Sequence, residues 1–340
     1  MKTPLCQVLG IEAPVILAAM GGVDAPRLAA AVANAGGLGM MALWFLTPDG
    51  VRSQIAKARS LTDRPFGVNL NLAYPQTDQL AACLAEGVKV ISLFWGDPGD
   101  LVAQAHAGGA VVLHTVGSAA EARRSAALGV DVVVAQGWEA GGHVWGEVAS
   151  LPLIPAVVDA VAPIPVVAAG GIADGRGLAA VLALGAQAAW IGTRFLTSAE
   201  AGIHPRYQAM LLAADEASTA HTGVFDIGWP DAPHRVLRNS TLADWEAAGR
   251  PPRGSRPREG EVIGRSPRAG EVVAYRSFTP ARETEGDIEA MSLWAGQGVG
   301  LANAVKPAGE IVREIVAEAD SVLSALGGGQ NTERPATLRS

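Results

Sequence analysis

Residues 15–26 read VILAAMGGVDAP, a short apolar run that breaks at two glycines and passes into alanine-rich sequence. An open doubly wound sheet of regular strand-helix units would normally carry a G-x-G-x-x-G dinucleotide fingerprint directly after its first strand. Met20-Gly21-Gly22-Val23-Asp24 stands there instead. Outward from this stretch the same kind of apolar run recurs seven times: GLGMMAL from Gly37, FGVNL from Phe66, VKVISLF from Val88, AVVLHT from Ala110, VDVVVA from Val130, IPVVAA from Ile164 and AAWIG from Ala188. The intervening segments are helix-like. Leu28, Ala31, Val32 and Ala35 fall at helical spacing, as do Leu178, Val181 and Leu182 with Gly185 as a stop. Thr47-Pro48 has the form of an N-cap followed by a first-turn proline, and Ser118 with Glu121 forms a capping-box pattern. Eight strands that alternate with helices from Pro14 to about Gly192, without the fingerprint, predict an α/β fold of the (β/α)8 TIM-barrel type.

The bulk composition agrees with a buried parallel sheet wrapped by helices: of 340 residues, 49% are hydrophobic, 17% are charged and 41 are glycine. A net charge of -7 lacks the basic footprint that nucleic acid or an anionic membrane requires, so a small-molecule partner is expected. Cys6 and Cys83 are far apart and outside any metal-ligand spacing, which suggests neither a disulfide framework nor a metal site. No apolar run approaches a membrane span, and the N-terminus lacks a signal-like core, so a soluble cytoplasmic protein, monomer or homodimer, is the default expectation.

After Thr193 the period is lost. Residues 201–289 are expected to form an inserted subdomain or lid on the substrate side, following a barrel over 1–200. Its middle, RPPRGSRPREGEVIGRSPRAGEVVAYR, is basic, rich in proline and glycine, and expected to be partly loop. Two decapeptides within it are alike, RPREGEVIGR from Arg256 and SPRAGEVVAY from Ser266, which reads as local duplication in a flexible segment. Helical spacing returns at Val312, Ile315, Val316 and Ala319, so 290–326 is expected to pack back on the barrel, with 327–340 a disordered tail.

Barrels of this type place their chemistry at the C-terminal strand ends. Those ends here are Met20-Gly21-Gly22, Asn69, His114-Thr115, Gln136, Gly170-Gly171 and Gly192-Thr193. Glycine turns after the seventh and eighth strands suit an anion pocket, which implies a phosphate-bearing cofactor. The turn AQGWEAGGHVWG, from Ala135 to Gly146, adds His143, a group that can move a proton near neutral pH. His114 reads as a hydrogen-bonded rim residue; His106, His204, His221 and His234 read as surface residues without metal spacing. Glu139 is expected to cap the turn, and Trp138, Trp145 and Trp294 are candidates to line the pocket.

Taken together, AAMGGVDAPRLAAAVANAGGLG, FGVNL, AQGWEAGGH, AAGGIADGRGLAAVLALGA, IGTRFL and LWAGQGVGL resemble the nitronate monooxygenases, over most of residues 4–202 and 287–305. The resemblance implies an FMN-bearing barrel that oxidises alkyl nitronates, with nitroalkanes as an open alternative, with molecular oxygen to a carbonyl compound and nitrite. Carried over by position, it implies FMN contacts at Asn69, Gln136, Gly141, Gly171 and the run Trp190, Ile191, Gly192 and Thr193, with Met20 and Gly170 beside the ring or phosphate, and His143 as the catalytic residue. At Trp190 many relatives carry glutamine, so this side chain departs from the pattern. For a neutral nitroalkane His143 would be a general base; for a preformed nitronate it would be a protonated or hydrogen-bonding residue that orients the anion. Rival readings are an FMN-dependent enoyl-acyl carrier protein reductase, which has a similar EAGGH turn and would use NAD(P)H, an NADH:quinone reductase, and a non-catalytic flavin-binding module.

Overall fold

The structure is a computed structural model that describes residues 1–328. Eight strands form a parallel sheet: β1 (Val15–Leu17), β2 (Gly39–Ala42), β3 (Phe66–Asn71), β4 (Val90–Phe94), β5 (Val111–Val116), β6 (Val132–Gln136), β8 (Val166–Ala169) and β9 (Ala188–Ile191), with the two-residue β7 (Gly142–His143) lying outside it. Sheet order runs β1-β9-β8-β6-β5-β4-β3-β2. A parallel bridge between Ile16 and Leu38, with Leu17 N–H donating to the Leu38 carbonyl at 2.9 Å, joins the two ends and closes the barrel. All eight predicted runs are barrel strands.

The helices follow the strands: α2 (Ala25–Asn34), α3 (Pro48–Arg59), α4 (Thr77–Ala85), α5 (Leu101–Ala107), α6 (Ala119–Ala127), α7 (Ser150–Val161), α8 (Gly175–Ala183) and the single turn α9 (Thr193–Leu196), after an initial α1 (Pro4–Leu9). Thr47 caps α3 by accepting from Gly50 N–H at 3.2 Å, and Ser118 caps α6 by accepting from Glu121 N–H at 3.3 Å. The Glu121 carboxylate accepts from Gly117 N–H, one residue before the cap, so the predicted box is displaced by one position. Alternate strand residues divide two cores. Ile16, Leu38, Met40, Val90, Leu113, Val132, Val134 and Val167 fill the barrel interior together with Leu5, Cys6 and Leu9 of α1, whereas Leu17, Met41, Val68, Ile91, Val112 and Val133 face the helices. Helix α1 thereby plugs the N-terminal end, tied by Leu5 N–H to Gln187 Oε1 at 2.9 Å. The opposite end remains for function.

Residues 201–289 are more regular than expected. They form α10 (Pro205–Ala213), β10 (Thr219–Thr222), β11 (His234–Leu237), α11 (Ser240–Ala247), β12 (Val262–Ser266), β13 (Gly270–Val273) and β14 (Glu285–Gly286). Two small antiparallel sheets result, β10-β11-β7 and β13-β12-β14. The duplicated segment is a hairpin, not a flexible loop: its two copies supply β12 and β13, which pair Arg265 with Glu271 and Ser266 with Gly270. Several of its arginines are paired with carboxylates at close range. Arg256, 7% exposed, donates to Asp226 and Glu259, and Arg258 pairs with Glu261 and Asp287. Tyr207, Phe225, Val236 and Tyr275 of this segment join the outer core of the barrel. Helix α12 (Ala308–Gly328) packs against α8 and extends to Gly328, so Gly327 and Gly328 are helical where a tail was expected; the remainder of that tail lies outside the described residues. No helix among the described residues is long and apolar enough to cross a membrane.

Candidate active site

A cavity of about 710 Å³ opens at the C-terminal strand ends, within the size range of cofactor and ligand pockets. Of the predicted site residues, Met20, Asn69, Gln136, Gly141, His143, Gly170, Gly171, Trp190, Gly192 and Thr193 line it. Ile191 does not. Its side chain is fully buried in the outer core, and its carbonyl accepts from Ala18 N–H at 2.8 Å, which ties β9 to the end of β1.

The position of His143 follows from the turn after β6. Strand β7 pairs antiparallel with β11, in a register that sets His143 opposite His234 and Gly142 opposite Arg235. The turn is therefore anchored to the inserted segment. Gly142 sits at φ +70, a conformation glycine adopts without strain. Gly141 is required for a different reason: a Cβ there would lie 2.4 Å from Gly296 N and 2.6 Å from Ala295 C, so the turn packs backbone to backbone on the LWAGQGVGL segment. Gln136 bridges the turn, its Nε2 donating to the His143 carbonyl at 3.1 Å and its Oε1 accepting from Trp145 N–H at 2.8 Å. Glu139 accepts from Ser150 N–H at 3.0 Å and so caps the start of α7 rather than the turn itself.

The imidazole of His143 stands in an aromatic enclosure. Trp229 stacks on it with centroids 3.8 Å apart, Trp294 lies at 5.2 Å, His234 at 5.6 Å and Trp95 at 5.8 Å. Its Nε2 is buried and has no hydrogen-bond partner. Burial, and secondarily the neighbouring His234, hold its pKa well below the ordinary histidine value, so the ring is neutral at pH 7. His234 is also neutral: burial pushes it down to about 4, with Nδ1–H donating to the Ala232 carbonyl at 2.8 Å and Nε2 accepting from Phe225 N–H at 3.2 Å. It is fully buried rather than on the surface. His221 departs from expectation too, packing beside Trp138 on the far face of the small sheet with Nε2 buried. His106 pairs with Asp131 on the surface and His204 caps α10. His114 bonds Ser125 and the Gly96 carbonyl, the rim role expected of it.

The polar and glycine positions divide into held and open groups. Asn69 Nδ2 donates to Ser92 Oγ at 3.1 Å across β3 and β4. Asn71, 1% exposed, keeps Oδ1 on Ala73 N–H while its Nδ2 has no partner, and it lines the cavity. Gly170 and Gly171 adopt φ +103 and +73, and Thr193 Oγ1 accepts from Gly296 N–H at 3.0 Å. At Gly192 a Cβ would press on Ala18 at 3.3 Å and stand 3.7 Å from Met20 Sδ. Trp190, the departure noted above, lines the cavity from above the inner core. Trp294 lines it as well, but Trp145 packs on Trp95 and Trp138 lies under the Arg235 guanidinium, outside the lining. Sequence reasoning missed Asn71, Trp44, Tyr74, Phe94, Trp95 and Trp229. Asn71 had a signal, two positions beyond Asn69 on the same strand face; Trp229 lies in an aperiodic stretch and had none.

A closed barrel with a cavity at its C-terminal end, glycine turns at two strand ends and a neutral histidine in the lining has the form of a barrel enzyme. The chain belongs to the nitronate monooxygenase family, a family of FMN-dependent oxidoreductases: the family model, Nitronate monooxygenase, matches residues 2–81 and 72–318. It is 32% identical to a nitronate monooxygenase of Paraburkholderia phytofirmans, over 93% of this chain and 95% of that protein. A (3aS,4S,5R,7aS)-5-hydroxy-7a-methyl-1-oxo-octahydro-1H-indene-4-carboxyl-CoA dehydrogenase of Mycobacterium tuberculosis is 42% identical over 74% of this chain and 70% of its own length. Among solved structures, FabK from Thermotoga maritima superposes with a TM-score of 0.80 at 33% identity, covering 96% of this chain and 99% of that one.

Proposed function

We propose that the cavity holds FMN and that the enzyme oxidises alkyl nitronates or the parent nitroalkanes with molecular oxygen. The observation that carries this reading is His143, a neutral imidazole with an unpartnered Nε2 in the cavity where ten predicted site residues meet. The residues fit the cofactor. The backbone at Gly170-Gly171 and Gly192 is free of side chains where a phosphate would approach, and the buried, unpaired Nδ2 of Asn71 is a donor waiting for an acceptor such as a polar ring edge. When bound, FMN supplies an electron acceptor that oxygen can regenerate. Of the two roles open to His143, neutrality favours the general base: its Nε2 accepts the proton from the carbon beside the nitro group.

Oxygen uptake with propionate 3-nitronate and with nitroethane, beside an absorption spectrum of the purified protein, tests the reading. His143→Ala is expected to keep its FMN and lose at least a hundredfold in turnover of nitroethane, the usual contribution of a positioned base. Wild-type rates in that variant would remove His143 from the mechanism.

A second reading has its own observation. Arg268 and Arg276 of the inserted segment stand at the cavity lining, and the relative from Mycobacterium tuberculosis is named for a coenzyme A thioester, whose phosphates suit guanidinium groups. Anaerobic mixing separates the two: bleaching of the flavin by an acyl-CoA or by NADH, with none by a nitronate, would reverse the order.

A further inference from the structure

His143 lines the cavity half-buried, and of its two ring nitrogens Nε2, the one read above as the base, is covered and without a partner. A base whose accepting atom is covered cannot meet a substrate proton until a neighbour moves. Two of the four rings around it are tied down by hydrogen bonds. Trp294 Nε1 donates to Thr279 Oγ1 at 2.8 Å, and both ring nitrogens of His234 are bonded to backbone. Trp229, the one stacked face to face at 3.8 Å and 28°, belongs to the connection between β10 and β11.

That connection is anchored on both sides of Trp229. Before it, Ile227 N–H donates to the Tyr275 carbonyl at 3.1 Å, Ser277 N–H donates back to the Ile227 carbonyl at 2.9 Å, and Arg256 grips Val224 and Asp226. After it, the Ala232 carbonyl receives His234 Nδ1–H and the Pro233 carbonyl receives Val144 N–H at 2.9 Å. Residues 228–231 span the gap, with Gly228 at φ +98 and Asp231 at φ +54. A Cβ at Gly228 would meet nothing within 4 Å, so the peptide there has room to turn. Among the described residues, the hydrogen bond that reaches this span from the barrel is Tyr74 Oη–H to the Gly228 carbonyl at 2.6 Å. Tyr74 is itself stacked on Trp44, centroids 5.1 Å apart and planes 11° apart.

We propose that Trp229 determines access and specificity: its indole is a plug on His143, latched by Tyr74, and the substrate reaches Nε2 by taking the place of the indole. This rests on the reading of His143 as the base. The vacated place is bounded by Trp44, Trp95 and Phe94, whose centroids lie 5.8, 5.0 and 6.5 Å from that of Trp229. A flat, apolar body suits such walls, so the substrate class is a carbon acid that carries a ring rather than a short alkyl chain.

Carbethoxylation of the holoenzyme by diethyl pyrocarbonate, mapped by mass spectrometry, reads access to a neutral imidazole whether or not the enzyme turns over. Tyr74→Phe removes the latch and keeps the ring; the modification rate at His143 is expected to rise several-fold to about tenfold, the population change that loss of one hydrogen bond produces. Trp229→Ala should raise it at least as much. Surface His106 provides the reference rate, and His234 should stay unmodified in all three proteins. Equal His143 rates in wild type and both variants would overturn the plug, as would a wild-type His143 that reacts as fast as His106. Loss of the base assignment through an active His143→Ala variant is a separate outcome, because the modification rates do not depend on it.

Discussion

Gln136 holds the backbone of His143: one amide donates to the His143 carbonyl at 3.1 Å while the same side chain accepts from Trp145 N–H at 2.8 Å. The side chain expected to read the flavin edge is thus largely committed to the protein, spanning both sides of the histidine. Gln136→Leu would leave a partly buried carbonyl and amide unpaired, each a loss of roughly 1–3 kcal/mol. Turnover should fall at least tenfold through displacement of His143, and Gln136→Glu, which can still accept from Trp145 but cannot donate, should fall between. Urea denaturation and steady-state rates check both, and wild-type stability in the leucine variant would contradict the bridge.

Gly141 offers a test of packing against cofactor contact. Its hypothetical Cβ meets backbone atoms of Ala295 and Gly296, which cannot rotate away. Gly141→Ala is expected to destabilise the fold by roughly 1–3 kcal/mol, the usual cost of forcing atoms into a packed region, and to do so in apoprotein as well as holoprotein. A loss seen in the holoprotein alone, by thermal melting with and without FMN, would return Gly141 to a purely flavin role.

Acid should weaken the fold from near pH 6.5 downward. His143 and His234 are both held below the ordinary value by burial, His234 to about 4. Below pH 6.5 the unfolded chain therefore binds protons that the native chain refuses, so native stability is fully present above that pH and declines as pH falls through the folded values. His234 alone accounts for roughly 3 kcal/mol across the window from 6.5 to 4. His234→Asn should flatten the decline between those limits in a series of denaturant titrations, and an unchanged slope would rule out the buried neutral ring.

The barrel was legible in the chain because strand-helix alternation is a local property: each apolar run from Val15 to Ile191 is set off by its own helix-like spacer, and every one became a strand. Most of the candidate site was legible for the same reason, since residues at the ends of parallel strands must meet at one face. The inserted segment was not. Its strands are short and edge-like, their pairing joins positions as distant as Gly142 and Arg235, and no local period reports a partner so far along the chain. For Arg256 and Arg258 of the basic stretch, part of the pairing was hidden because the partners Asp226 and Asp287 are remote in sequence.

By itself, then, the sequence determined the barrel and the strand ends, glycine turns and histidine that meet at its cavity, all of them consequences of residue type and short-range spacing. Only the tertiary structure decided the state of that histidine. Neutrality depends on burial and on His234, its orientation on Gln136, and its cover on Trp229. These are contacts between elements, and desolvation exists only once the chain has closed around the ring.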